Sequence, residues 1–133
     1  MAVLGMGTLL HDIGKMIVEP SIMYKEGKLT QQEYEYVKMH TMYGYQALRR
    51  IPMLPEPARL IAYMHHERLN GTGYPRGLKG DEITEFSKIV AIADVYDALT
   101  TDRCYRKKWT ANRAMEFLIE RSQVEFDYEL VGL

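Results

Sequence analysis

Cysteine is almost missing from the 133-residue sequence, Cys104 being the only one. A lone thiol excludes an internal disulfide and a zinc site built from cysteines, and it fits a reducing compartment. An excess of charge of either sign is also lacking. Seventeen lysines and arginines against eighteen aspartates and glutamates leave a net charge of -1. That balance removes the general attraction to DNA, RNA or an anionic membrane surface. No apolar run approaches the roughly 20 residues of a membrane span, and no signal peptide is visible. The expected location is therefore cytoplasmic, without membrane contact by this chain. Nothing alternates with period two over a convincing length, so the expected class is all-α. Repeats, low-complexity tracts and linkers are absent too, which leaves residues 1–133 as one domain.

What remains is a chain that is 47% hydrophobic, sufficient for a core, with nine methionines that read as adaptable filling. Its pattern predicts about five to seven helices joined by short turns. The first covers about residues 2 to 14, and a helical turn follows near "PSIMYK". Thr30 and Glu33 form a capping box that opens a helix to about Arg49. A third long helix is expected from Glu56 to Leu69, stopped by Asn70-Gly71. Residues 70 to 81 form a glycine-rich loop. The segment from Glu85 to Thr100 is apolar nearly all round and should lie at the centre of the bundle. Thr110 caps a last helix to about Arg121. Both ends look cut: "MAVLGMGTLL" starts inside an apolar helical pattern, and "DYELVGL" starts a helix and stops.

The chemistry lies in four histidines, His11, His40, His65 and His66, each within or at the end of a helix. A single histidine on an apolar face is more often a core residue than a ligand. Carboxylates change the balance. Asp12 follows His11 directly, and Asp94 lies inside "IVAIADVY", where burying an unpaired carboxylate costs several kcal/mol. The nearby sequence offers no obvious lysine or arginine partner, whereas a metal ion bound also by neutral imidazoles supplies the charge. Adjacent helical residues point about 100° apart, so His11-Asp12 and His65-His66 suit two neighbouring ions, with a carboxylate such as Asp12 bridging them. Imidazole and carboxylate without thiolate favour iron, manganese or zinc in a catalytic role.

These residues also carry a resemblance. "LLHDIGK" resembles the His-Asp signature of the HD phosphohydrolases. "HHERLNGTGYPRGLKGDEI", "IVAIADVYDALTTDRCYR" and "FDYELV" resemble the HD-GYP subfamily over nearly the whole chain. The resemblance implies an HD-type helical bundle with a centre of two or three divalent transition metals, iron or manganese first and zinc as an alternative. It implies hydrolysis of cyclic di-GMP to linear pGpG, and often to GMP, in bacterial second-messenger signalling. Carried across by position, it makes His11, Asp12, His40, His65, His66 and Asp94 metal ligands, with Asp12 and Lys15 at the reacting phosphate. Arg103 and Arg106 match positions that grip the ligand's phosphates, a task that suits guanidinium forks. Tyr74 and Pro75 are expected at the lip of the site, and Asp97 as a support one turn beyond Asp94.

The implied partners are the cyclic dinucleotide, an upstream sensor or receiver domain, a protein partner at the GYP loop, and a second copy of the chain. Departures from the pattern are Asn70 in place of aspartate, Cys104 in place of proline, and no upstream metal-ligating helix. Two other readings stay open: a catalytically weak regulatory or protein-interaction module, and an HD phosphohydrolase acting on another nucleotide.

Overall fold

Capping hydroxyls and proline-marked turns divide the chain into short helices in the computed structural model, which describes residues 1–103 and 106–133. The order is α1 (Ala2–Leu10), a 3-10 helix (Ile13–Ile17), α2 (Pro20–Met23), α3 (Gln31–Lys38), α4 (His40–Leu48) and α5 (Glu56–Met64). A second 3-10 helix (Gly80–Glu82), α6 (Glu85–Thr100), α7 (Ala111–Arg121) and α8 (Tyr128–Val131) complete it. Among the described residues six α-helices have eight or more residues and two are single turns, and no strand forms beyond isolated bridges. The expected all-α class holds. No helix among the described residues is long and apolar enough to cross a membrane.

The centre of the packing is α5, not α6 as the sequence suggests. Ala58, Ile61 and Ala62 of α5 are fully buried, and the small side chains of the two alanines let α1, α4 and α6 approach it. Val3, Met6, Leu10 and Ile13 pack there with Leu48 and Leu54. A second cluster joins Leu118, Phe126 and Val131 to Ile92, Val95 and Tyr96. Only Ser87, Val90 and Ala91 of α6 are buried. Its Ile92, Ala93 and Tyr96 border an apolar groove shared with Met115 and Leu130.

Three helix ends differ from the expected ones, and each difference shapes the site. The first helix stops at Leu10, and the chain tightens into the 3-10 helix because Gly14 lies against α4. A Cβ at position 14 would meet the His40 carbonyl oxygen at 1.8 Å. The helix opened by the Thr30–Glu33 capping box breaks at Met39, whose amide bonds to the Tyr36 carbonyl one residue too early for an α-helix. Finally, α5 ends at Met64 instead of Leu69. The Glu67 amide already bonds to the Met64 carbonyl, and Leu69 pairs with the Glu125 carbonyl. Asn70 sits in the loop, its side-chain oxygen accepting from the Thr72 amide and hydroxyl.

Candidate metal centre

Four separate segments meet at the ends and middle of these helices. His11 and Asp12 occupy the turn after α1, and His40 is the first residue of α4. His65 and His66 directly follow α5, and Asp94 lies midway along α6. One set of donor atoms, from Asp12, His40, His65 and His66, lies within 4.8 Å of one another, as does a second set from His11, His65 and Asp94. The structure therefore brings together all six residues that the sequence picks out as ligands, with His65 common to both sets.

The backbone orients the rings. His11 Nδ1 faces the Thr8 carbonyl at 2.6 Å and His40 Nδ1 the Val37 carbonyl at 2.7 Å. His65 Nδ1 faces the Ile61 and Ala62 carbonyls at 3.0 and 3.1 Å. A carbonyl only accepts, so each Nδ1–H donates and each Nε2 turns a lone pair inward. Those lone pairs meet carboxylate oxygens. Asp12 Oδ1 lies 3.4 Å from His40 Nε2 and 3.5 Å from His65 Nε2. His11 Nε2 lies 3.3 Å from Asp12 Oδ2 and 3.5 Å from Asp94 Oδ1. Acceptor facing acceptor is repulsive until a cation or proton stands between them. The buried His11 Nε2 and Asp12 Oδ1 indeed have no hydrogen-bond partner. The site fits a divalent metal on this ground.

The charge states agree. Burial opposes ionisation of Asp12, yet His11, His40, His65 and Lys15 hold its carboxyl far below the usual range. Burial also works against Asp94, but contact with His11 lowers it. Burial pushes His65 and His66 down, so both stay neutral as ligands require. Burial would lower His11 as well, but the Asp12 and Asp94 carboxylates beside it outweigh that and raise it to about 10.

The glycine-punctuated loop closes one side. Tyr74 stacks on His66, with ring centroids 4.7 Å apart and planes 15° apart, and its amide bonds to the His66 carbonyl. Burial raises the Tyr74 phenol above its ordinary value, so it stays neutral. Gly73 permits this fold of the chain, because a Cβ there would come within 2.3 Å of the His66 carbonyl oxygen. The loop is held from below by Glu67, a residue the sequence reading passes over. Its buried carboxylate accepts from the Arg76 amide at 2.7 Å and the Leu78 amide at 2.9 Å. Arg68, also passed over, donates to the His65 and Glu67 carbonyls and lies over the Phe126 ring. The available signal for Glu67 was a carboxylate set between a histidine pair and a loop rich in unpaired amides.

The remaining expected site residues divide. Lys15 Nζ bonds to Asp12 Oδ2 at 2.7 Å, so it sits at the cluster. Beyond it opens a cavity of about 750 Å³ to which Lys15 and Arg103 both contribute. Arg106 turns elsewhere: its guanidinium donates to the Ala98 carbonyl at 2.8 Å and the Lys107 carbonyl at 3.0 Å, capping the end of α6. Asp97 is exposed and stands apart from the donor sets. Cys104, between the two arginines, lies outside the described residues.

The chain is also similar to known proteins. The profile of a family described as HD domain matches residues 3–130. A 3'3'-cGAMP-specific phosphodiesterase of Vibrio cholerae serotype O1 is 42% identical over 125 residues, covering 93% of this chain and 24% of that protein. A cyclic di-GMP phosphodiesterase response regulator of Xanthomonas campestris pv. campestris is 40% identical over 126 residues, covering 94% of this chain and 33% of that protein. The chain thus spans about a quarter to a third of the length of these curated relatives. Among solved structures, an HDG"Y"P protein from Bdellovibrio bacteriovorus matches with a TM-score of 0.77 over 98% of this chain and 41% of that one. At 22% identity that likeness is one of fold.

Proposed function

This chain belongs to the HD domain family, and we propose that it is the metal-dependent phosphodiesterase part of a protein that opens cyclic di-GMP to linear pGpG, with GMP as a further product. The observation that carries this reading is the meeting of four imidazoles and two carboxylates beside a cation-lined cavity. His11, Asp12, His40, His65, His66 and Asp94 would hold two or three divalent ions, iron or manganese first and zinc as the alternative. When bound, such ions supply a water activated near neutral pH and a charge that polarises the phosphoryl oxygens.

The chain's own groups do the rest. Asp12 offers one oxygen toward His40 and His65 and the other toward His11 and Lys15, which suits a carboxylate shared between two ions. Lys15 fixes that carboxylate and presents its remaining protons to a phosphate at the mouth of the cavity. Tyr74 shields His66 from water and walls the site on the loop side. Arg103 meets the phosphate from across the cavity. Arg106 acts as a positioning residue: the two arginines exchange backbone bonds at 2.9 and 3.2 Å, and the cap on α6 anchors the pair.

Protein loaded with iron or manganese should convert cyclic di-GMP to a linear product resolved by chromatography, and Asp12→Ala should abolish the conversion. Fully metallated protein that leaves the dinucleotide intact contradicts the reading. Because a relative at 42% identity is named for 3'3'-cGAMP, that dinucleotide is the second substrate to compare. Faster turnover of it would move the substrate assignment while keeping the reaction.

A further inference from the structure

We infer that Tyr34 and Lys28 form the seat for the second nucleotide of the cyclic dinucleotide, the half whose phosphodiester is not cleaved in the first step. This inference rests on the proposed function. A cyclic dinucleotide carries two phosphates and two bases on one ring. With one phosphate at Asp12 and Lys15, the other half needs its own cation and a flat apolar surface.

The cavity beyond Lys15 provides both. Its lining combines Ile22, Leu29 and Val37 with the cations Lys15, Lys25, Lys28 and Arg103, and among the described residues includes no carboxylate. Its volume of about 750 Å³ falls within the usual range of small-molecule sites. Two of the lysines are already engaged, Lys15 with Asp12 at 2.7 Å and Lys25 with Glu33 at 2.6 Å. Lys28 is exposed and forms no ion pair among the described residues. A phosphate would give it one.

Tyr34 has the geometry of a stacking platform. It lines the cavity and is 44% exposed, yet it is held in place. Its ring stands edge-on to Tyr74 at 6.4 Å and 82°, and Tyr74 is stacked on His66. Lys38 Nζ lies 5.1 Å from the Tyr34 centroid and 5.7 Å from that of Tyr74, bracing both rings. An aromatic chain therefore runs from the metal cluster to Tyr34, a partly exposed ring that lines the cavity. Purine bases stack on such rings whatever their edge groups.

The test is calorimetric binding to metal-loaded protein of a phosphorothioate analogue of cyclic di-GMP, which resists hydrolysis, with GMP as the ligand that lacks a second half. Tyr34→Ala and Lys28→Ala should each weaken the analogue about tenfold and GMP much less. Tyr34→Phe and Lys28→Arg should restore affinity for the analogue. Unchanged affinity in both alanine variants overturns the inference, as does equal weakening of GMP. Wild-type protein that binds neither ligand overturns the inference together with the proposed function. Wild-type protein that binds the analogue but never opens cyclic di-GMP refutes only the hydrolase reading, and the variant affinities still decide the seat.

Discussion

At position 14 a single methyl group decides whether Asp12 can reach His40. The Cβ of an alanine there would lie 1.8 Å from the His40 carbonyl oxygen and 2.7 Å from the Gly44 amide, both backbone atoms with nowhere to go. Gly14→Ala should cost about 1–3 kcal/mol in urea unfolding and lower metal content, because the 3-10 helix must back away from α4. Glu67 acts at the same scale. Glu67→Ala orphans the Arg76 and Leu78 amides, with an expected loss of about 1–3 kcal/mol and faster hydrogen exchange confined to the loop. The six donors were legible in the sequence because their residue types are rare inside apolar stretches. Glu67 was not, because the amides it holds lie nine and eleven residues further on. The carbonyls that orient the His11, His40 and His65 rings were equally hidden, since backbone direction is fixed only once the helices end.

Where the elements stop matters more than where they start. Thr30, Thr84 and Thr110 mark their helix starts by side-chain caps within the next turn, a local chemistry that sequence displays directly. The ends of α1, α3 and α5 answer to contacts across the fold, and all three fall short of the expected residue. For α5 the consequence is chemical. His65 and His66 leave the helix and turn toward different neighbours, His65 toward Asp12 and His66 toward Tyr74. The pair can therefore serve the centre without the constraint of a shared helical face. Arg106 shows the same dependence on context. A basic run after α6 reads as solvated or ligand-binding, while the structure sets the guanidinium on the Ala98 carbonyl and beside the Trp109 ring. Arg106→Ala should lower stability by about 1 kcal/mol, read from urea unfolding, and should also raise KM for the dinucleotide through displacement of Arg103.

Across the whole molecule, the donors span residues 11 to 94 and join four segments that already pack together around α5. Metal bound only by the folded chain adds stability by mass action, about 2.7 kcal/mol at a hundredfold excess over Kd. Chelation should therefore lower Tm by several degrees in calorimetry. His65→Ala and Asp94→Ala should each reduce the metal found by elemental analysis, and unchanged content and Tm in both would contradict a metal centre here. The expected class and the helix count in broad terms came from the 3.6-residue periodicity. The packing order did not, because α6 is more apolar in sequence than α5, yet α5 has the small residues that admit three neighbours.

The cavity also differs in origin from the cluster it adjoins. Its floor and walls come largely from residues 22 to 37, a stretch that contains none of the six donors. On the proposed function, reaction and recognition would be written in different parts of the chain, and substitutions between Ile22 and Val37 would change which cyclic dinucleotide is preferred while the six donors stay in place.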